Sequence, residues 1–191
     1  MSPAAPPAGT GVIHGRFQVP HNDHLRYLLA GKALCRFLYV GVTNPDPLLT
    51  REDAADARRS LAEANPLTFW ERMLMCRDML LEAGVPRDEF EVVPFPVNLP
   101  ELWAHYVPLD SLFFVSIYDA WGRAKERRFR ERDLRVHVLW EVRPEDKGIS
   151  GSDVRSRMAE GRPWRDLVPP AVARLAEAWD LPGRLGAARA P

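Results

Sequence analysis

Two four-residue apolar runs, Phe37-Leu38-Tyr39-Val40 and Leu112-Phe113-Phe114-Val115, restrict this chain more than any other feature. A strand with one wet face alternates apolar and polar side chains. A run without a polar position belongs to a strand covered on both faces, as in a parallel sheet between two layers of helices. Further apolar runs recur along the chain, which gives strand candidates at 11–15, 36–42, 90–94, 112–116 and 135–139. Helical patterns fall between and after them, at 22–34, 68–83, 99–105, 119–131, 152–160 and 170–179.

Strand–helix alternation of this kind predicts an α/β chain with a Rossmann-like, doubly wound parallel sheet in a single domain. The domain is expected to span 10–182. The Pro/Ala-rich residues 1–9 are expected to be a disordered N-terminus, and 183–191 a flexible tail. The stretch 44–66 is long, polar and punctuated by proline, and is a candidate lid or binding loop. There is no internal repeat.

The 191 residues and 46% hydrophobic content suit one sizeable core. A formal net charge of zero gives no global pull toward nucleic acid or an anionic membrane. Lys32, Lys125 and Lys147 are the only lysines, so the basic side chains are mostly arginine forks. Such usage follows first from a GC-rich genome, and secondly from phosphate or carboxylate binding. Cys35 and Cys76 form no paired motif and read as reduced core thiols. No run approaches 18 apolar residues, and the N-terminus lacks the basic and apolar regions of a signal peptide. A cytoplasmic protein, neither membrane-spanning nor secreted, is expected.

In doubly wound sheets, ligands sit at the carboxyl ends of the strands. Two segments fall there. The first is Gly15-Arg16-Phe17-Gln18-Val19-Pro20-His21-Asn22-Asp23-His24, directly after the first strand candidate. His21 and His24 are three apart at a helix start, so their imidazoles point the same way, where the helix N-terminus already favours an anion. They are placed to donate hydrogen bonds to phosphate oxygens. Plain capping or solvated histidines give the same pattern. A metal site from His14, His21, Asp23 and His24 is a further alternative, for which no fourth ligand is evident downstream. The second segment is Ile149-Ser150-Gly151-Ser152-Asp153-Val154-Arg155. Ser150-x-x-Asp153 is a capping box that starts a helix. Ser152, the first-turn N–H groups and the Arg155 fork can grip phosphate, although a simple well-capped helix has the same sequence.

Taken together, the two segments resemble the HxGH nucleotidyltransferases, most closely the nicotinamide-mononucleotide adenylyltransferase type. There the motifs read GRFQPxHxGH and ISGTExR. The likeness extends to Asn65-Pro66-Leu67-Thr68-Phe69-Trp70-Glu71-Arg72, to Leu102-Trp103 and to Gly161-Arg162-Pro163-Trp164-Arg165-Asp166-Leu167-Val168-Pro169. The resemblance implies that His21, His24 and Arg155 act in catalysis. It implies that Gly15, Arg16, Phe17, Ser150 and Ser152 join them in binding the nucleotide, and that Arg72 and Trp103 bind the acceptor. It also implies Mg2+ on the triphosphate, an acceptor oxygen as nucleophile and pyrophosphate as leaving group.

The chain departs from that pattern in several places. Asp23 replaces the glycine of HxGH, where it is placed to repel phosphate, hold an imidazole as imidazolium, or point away. The motif proline is shifted to Pro20. Ala64 replaces a basic residue, and Ser116-Ile117-Tyr118-Asp119-Ala120-Trp121 follows the fourth strand candidate. His21-Asn22-Asp23-His24 with Gly41-Val42-Thr43-Asn44-Pro45-Asp46-Pro47 is similar to a cytidylyltransferase subgroup of phosphonate natural-product pathways. That likeness implies CTP and a small phosphonate or phosphate, phosphonoformate first among them. The alternatives are an ATP-using nicotinamide-mononucleotide adenylyltransferase, in which Trp103 stacks on the nicotinamide, and a nucleotide-binding regulator without catalysis; a core tryptophan at 103 fits the sequence equally. For Trp121 and Trp179 a core or pocket role is the first reading, and a subunit contact in a homo-oligomer the second.

Overall fold

The structure is a computed structural model that describes residues 8–50, 61, 64–146 and 148–188. Five strands, β1 (Ala8–Gly15), β2 (Cys35–Val42), β3 (Phe90–Pro94), β4 (Leu112–Ile117) and β5 (Arg135–Glu141), form one sheet in the order β3-β2-β1-β4-β5. Every pairing is parallel. The chain winds outward one way from β1 and then returns to wind the other way, so the sheet reverses direction between β1 and β4. The helices are α1 (Asn22–Lys32), α2 (Phe69–Glu82), α3 (Ala120–Arg130), α4 (Gly151–Ala159), α5 (Pro170–Ala178) and α6 (Leu181–Ala187). Pro100–His105, expected as a helix, is a 3-10 turn. None of these helices is long and apolar enough to cross a membrane.

Two apolar clusters, one on each face of the sheet, account for the uninterrupted runs. Ile13 and Phe114 join Leu28, Met75, Val154 and Val172 in one cluster. Their chain neighbours Val12 and Phe113 join Phe95, Trp103 and Phe129 in the other. Successive strand side chains point to opposite faces, and both faces are dry, so neither position admits a polar residue. Val12, Ile13, Phe113 and Phe114 are all fully buried.

Both chain ends differ from expectation. Residues 1–7 lie outside the described residues, but Ala8 and Gly9 already belong to β1. The segment from Gly183, expected as a tail, is helical through Ala187. Asp180 caps this helix through Gly183 N–H, and Leu181 and Leu185 are buried. Of the candidate lid at 44–66, residues 51–60, 62 and 63 lie outside the described residues.

Candidate active site

A cleft of about 390 Å³ opens at the carboxyl end of the sheet, over the reversal between β1 and β4. Its walls come from the β1–α1 loop, the β4–α3 turn and the start of α4. The two motif segments, more than 120 residues apart, meet there.

The β1–α1 loop is shaped by side chains buried beneath it. Gln18 is 3% exposed, and its amide pairs with Leu67 both ways. It donates to Leu67 O at 3.0 Å and accepts from Leu67 N at 2.9 Å. Arg72 lies under the same loop and is 1% exposed. Its guanidinium donates to Arg16 O at 3.0 Å, Thr43 O at 2.7 Å and Asn44 O at 2.8 Å, and to Thr68 O at 3.1 Å. Burial pulls its pKa down to about 10. Arg72 is therefore not an acceptor-binding group: its fork is used on carbonyls that shape the loops after β1 and β2. Arg16 lines the cleft and also donates to Ala64 O at 3.4 Å.

His21 is the N-cap of α1, and the His21 and His24 rings stack with centroids 3.7 Å apart. The His21 backbone N–H donates to His24 Nδ1 at 3.3 Å. A neutral His24 therefore carries its proton on Nε2. Phe17 is buried and packs edge-on to His24, with centroids 5.0 Å apart.

The second segment approaches face-on to the first. Ser150 Oγ caps α4 by accepting from Asp153 N at 3.1 Å. Gly151 lies so close to the β1–α1 loop that a Cβ there would sit 2.5 Å from Gln18 O. Arg155 bridges the halves, donating to Gln18 O and, at 3.3 Å, to Ser152 Oγ. Asp23, which replaces the motif glycine, makes a second bridge. Its Oδ2 accepts from Ile149 N at 2.7 Å. This engagement ties Asp23 to the second segment while its side chain stays in the cleft lining. It requires the glycine at 148, whose Cβ would otherwise lie 2.3 Å from the Asp23 carboxylate.

The cleft thus gathers Gly15, Arg16, Phe17, His21, His24, Ser150 and Ser152. Arg155 stands behind them as a brace. Trp103 does not reach the cleft. It is 1% exposed, stacks on Phe95 with centroids 5.6 Å apart, meets Phe129 edge-on, and donates from its indole to Pro96 O at 3.1 Å. Trp121 belongs to the cleft wall, and Trp179 packs on Trp70. Sequence reasoning had placed His14 only in a metal alternative and had given Lys125 no role, but both line the cleft floor. Burial, with the Lys125 charge adding to it, holds the His14 imidazole well below its ordinary pKa and therefore neutral. Among the described residues, no three His, Cys, Asp or Glu side chains are grouped to hold a metal ion.

No protein-family profile matches the chain. It is 53% identical over 180 residues to the phosphonoformate cytidylyltransferase of Streptomyces viridochromogenes, covering 94% of this chain and 97% of that one. The nicotinamide-nucleotide adenylyltransferase of Thermococcus onnurineus is 32% identical over 166 residues, covering 86% of this chain and 80% of its own. The bifunctional NMN adenylyltransferase/ADP ribose pyrophosphatase of Francisella tularensis shares the fold at a TM-score of 0.64 and 14% identity. That match covers 91% of this chain, which spans about half of the bifunctional one (50%). The chain belongs to the nucleotidyltransferase family that includes phosphonoformate cytidylyltransferase and the nicotinamide-nucleotide adenylyltransferases.

Proposed function

We propose that the protein transfers a cytidylyl group from CTP to phosphonoformate and releases pyrophosphate. The observation that carries the choice of acceptor is the enclosure of Trp103. An indole that stacks on a nicotinamide ring needs an open face, and here Phe95, Phe129 and the Arg132 guanidinium surround it. A small acceptor does not need that face. The 53% identity to a phosphonoformate cytidylyltransferase supports the same acceptor and supports CTP as the donor.

In this reading a phosphonate oxygen of the acceptor attacks the α-phosphorus of CTP. The new P–O bond forms as the bond to the β-phosphate breaks, and pyrophosphate leaves with the electron pair. The nucleophile is an oxyanion at neutral pH, so positioning and charge stabilisation do the catalysis without a general base. The Nε2–H of His24, with His21 stacked beside it, faces the developing charge. The N-terminus of α4, with Ser150 and Ser152, takes the β- and γ-phosphates. Arg155 holds that helix against the β1–α1 loop. Mg2+ enters as part of the triphosphate substrate and offsets its charge. The unpaired thiols Cys35 and Cys76, together with the need for CTP, suit a cytoplasmic reaction.

The test is pyrophosphate release with CTP plus phosphonoformate against ATP plus nicotinamide mononucleotide, with the product identified by phosphorus NMR. The first pair is expected to turn over at least about a hundredfold faster in kcat/KM, a difference of about 2.7 kcal/mol. Preference for the second pair overturns the reading.

A further inference from the structure

The cleft floor holds polar groups that the phosphate chemistry does not use. Both ring nitrogens of His14 and the Oγ of Ser116 are buried without a hydrogen-bond partner. The two residues are 2% and 8% exposed, and both line the cleft. Buried polar atoms are almost always paired, because desolvation without a partner is costly. Both residues belong to the cleft lining, so a bound ligand is a partner that would satisfy them. β1 and β4 are parallel neighbours, with Ile13 beside Phe114, so the His14 and Ser116 backbones lie near one another at the top of the reversal; their side chains leave opposite faces of the sheet, and both residues line the cleft. Lys125 of α3 lines the same floor, 7% exposed, with its ammonium 4.4 Å from the Trp121 ring centroid.

We propose that His14, Ser116 and Lys125 form the acceptor subsite and bind its anionic groups, a carboxylate or phosphonate, beside the α-phosphorus. This inference rests on the reading of a small anionic acceptor. The floor suits an anion better than a flat base. A base gains most from an open aromatic face, yet the Trp121 ring carries the Lys125 ammonium, and the His14 ring lies between Phe95 and Phe129 with centroids at 5.4 and 5.2 Å. The neutral imidazole contributes one N–H donor, the serine hydroxyl a second, and the ammonium the charge. His21 and His24 border the same cleft, so an acceptor held on this floor stands next to the phosphorus they serve.

Ser116→Ala, His14→Leu and Lys125→Met test the assignment, with KM measured separately for CTP and for phosphonoformate. Each substitution is expected to raise the phosphonoformate KM at least about tenfold, the usual effect of losing a hydrogen bond to a charged group. The CTP KM should stay within about twofold. A raised CTP KM with an unchanged acceptor KM would assign the floor to the nucleotide and overturn the proposal. No change in either would show that these groups are served by solvent, with the same consequence. If Lys125→Met does not fold, the other two variants decide. Calorimetric titration of phosphonoformate into wild type and Ser116→Ala, without nucleotide, separates this inference from the reaction. A wild type that fails to turn over CTP but binds phosphonoformate through Ser116 sinks the reaction and keeps the subsite.

Discussion

Asp23 and Gly148 should behave as one unit, and a double-mutant cycle can show it. The Asp23 carboxylate accepts from Ile149 N at 2.7 Å and so fixes the start of α4 against the start of α1. A hydrogen bond to a charged group contributes about 1.5–3 kcal/mol, and the lower end applies to a half-exposed residue such as Asp23. If that energy holds the two helix N-termini in register, Asp23→Gly lowers kcat/KM about tenfold, since 1.4 kcal/mol is a factor of ten. Gly148→Ala in the native background drives a Cβ to within 2.3 Å of the same carboxylate and should cost at least as much. The three atoms nearest that Cβ all belong to Asp23. In the Asp23→Gly background the alanine meets none of them, so adding it should cost little, and the two losses should fail to add by about 1 kcal/mol or more. The assay is kcat/KM and CTP affinity for the four proteins, with Tm as a folding control. Tighter CTP binding and higher activity in Asp23→Gly would show a carboxylate that repels the triphosphate, and additive losses would show independent residues. Either result refutes the argument.

Three other substitutions probe separate parts of the structure. His24→Ala should lower kcat about a hundredfold with Tm preserved, because one donor at a developing charge contributes about 3 kcal/mol; near-normal turnover removes His24 from the mechanism. Arg72→Lys keeps the charge but loses the fork that holds the loop carbonyls. It should destabilise by about 3 kcal/mol and lower Tm by roughly 6–12 °C in thermal denaturation, and an unchanged Tm would refute the role. Arg184→Met tests the pair with Glu71, whose carboxyl is raised by burial but held below its ordinary pKa overall by the Arg184 guanidinium and Thr68. A lowered folded-state pKa stabilises above the unfolded value and loses that effect as pH falls through the folded one. The Tm difference from wild type should therefore be largest near neutral pH and close as pH drops below about 4; a difference that persists in acid would assign Arg184 a packing role.

The strands were legible because a doubly buried strand leaves no polar position, and the five candidates match β1 to β5 within a few residues. The two motif segments were legible as helix starts because capping uses short polar side chains at fixed spacing. The floor was not. His14 closes an apolar strand and looks like part of it; only the packing of Phe95 and Phe129 around the ring shows how dry its surroundings are. Lys125 stands in Arg123-Ala124-Lys125-Glu126-Arg127, which reads as a solvated helix face, yet one turn from the buried Phe129 it points inward. Trp103 stayed open between core and cleft because the residue that covers it, Phe95, follows a different strand. α6 was missed because Pro182 and Gly183 read as breakers, but a proline in the first turn of a helix forfeits no hydrogen bond.

Gln18 and Arg72 have a consequence for how a nucleotide is received. They tie the β1–α1 loop to Leu67, Thr43 and Asn44 from beneath, through hydrogen bonds internal to the protein. The loop's conformational entropy is therefore lost when the chain folds and not when CTP arrives. Association with such a surface needs little rearrangement, so its speed is set by encounter and orientation. Release of pyrophosphate, in turn, need not wait for the loop to come undone.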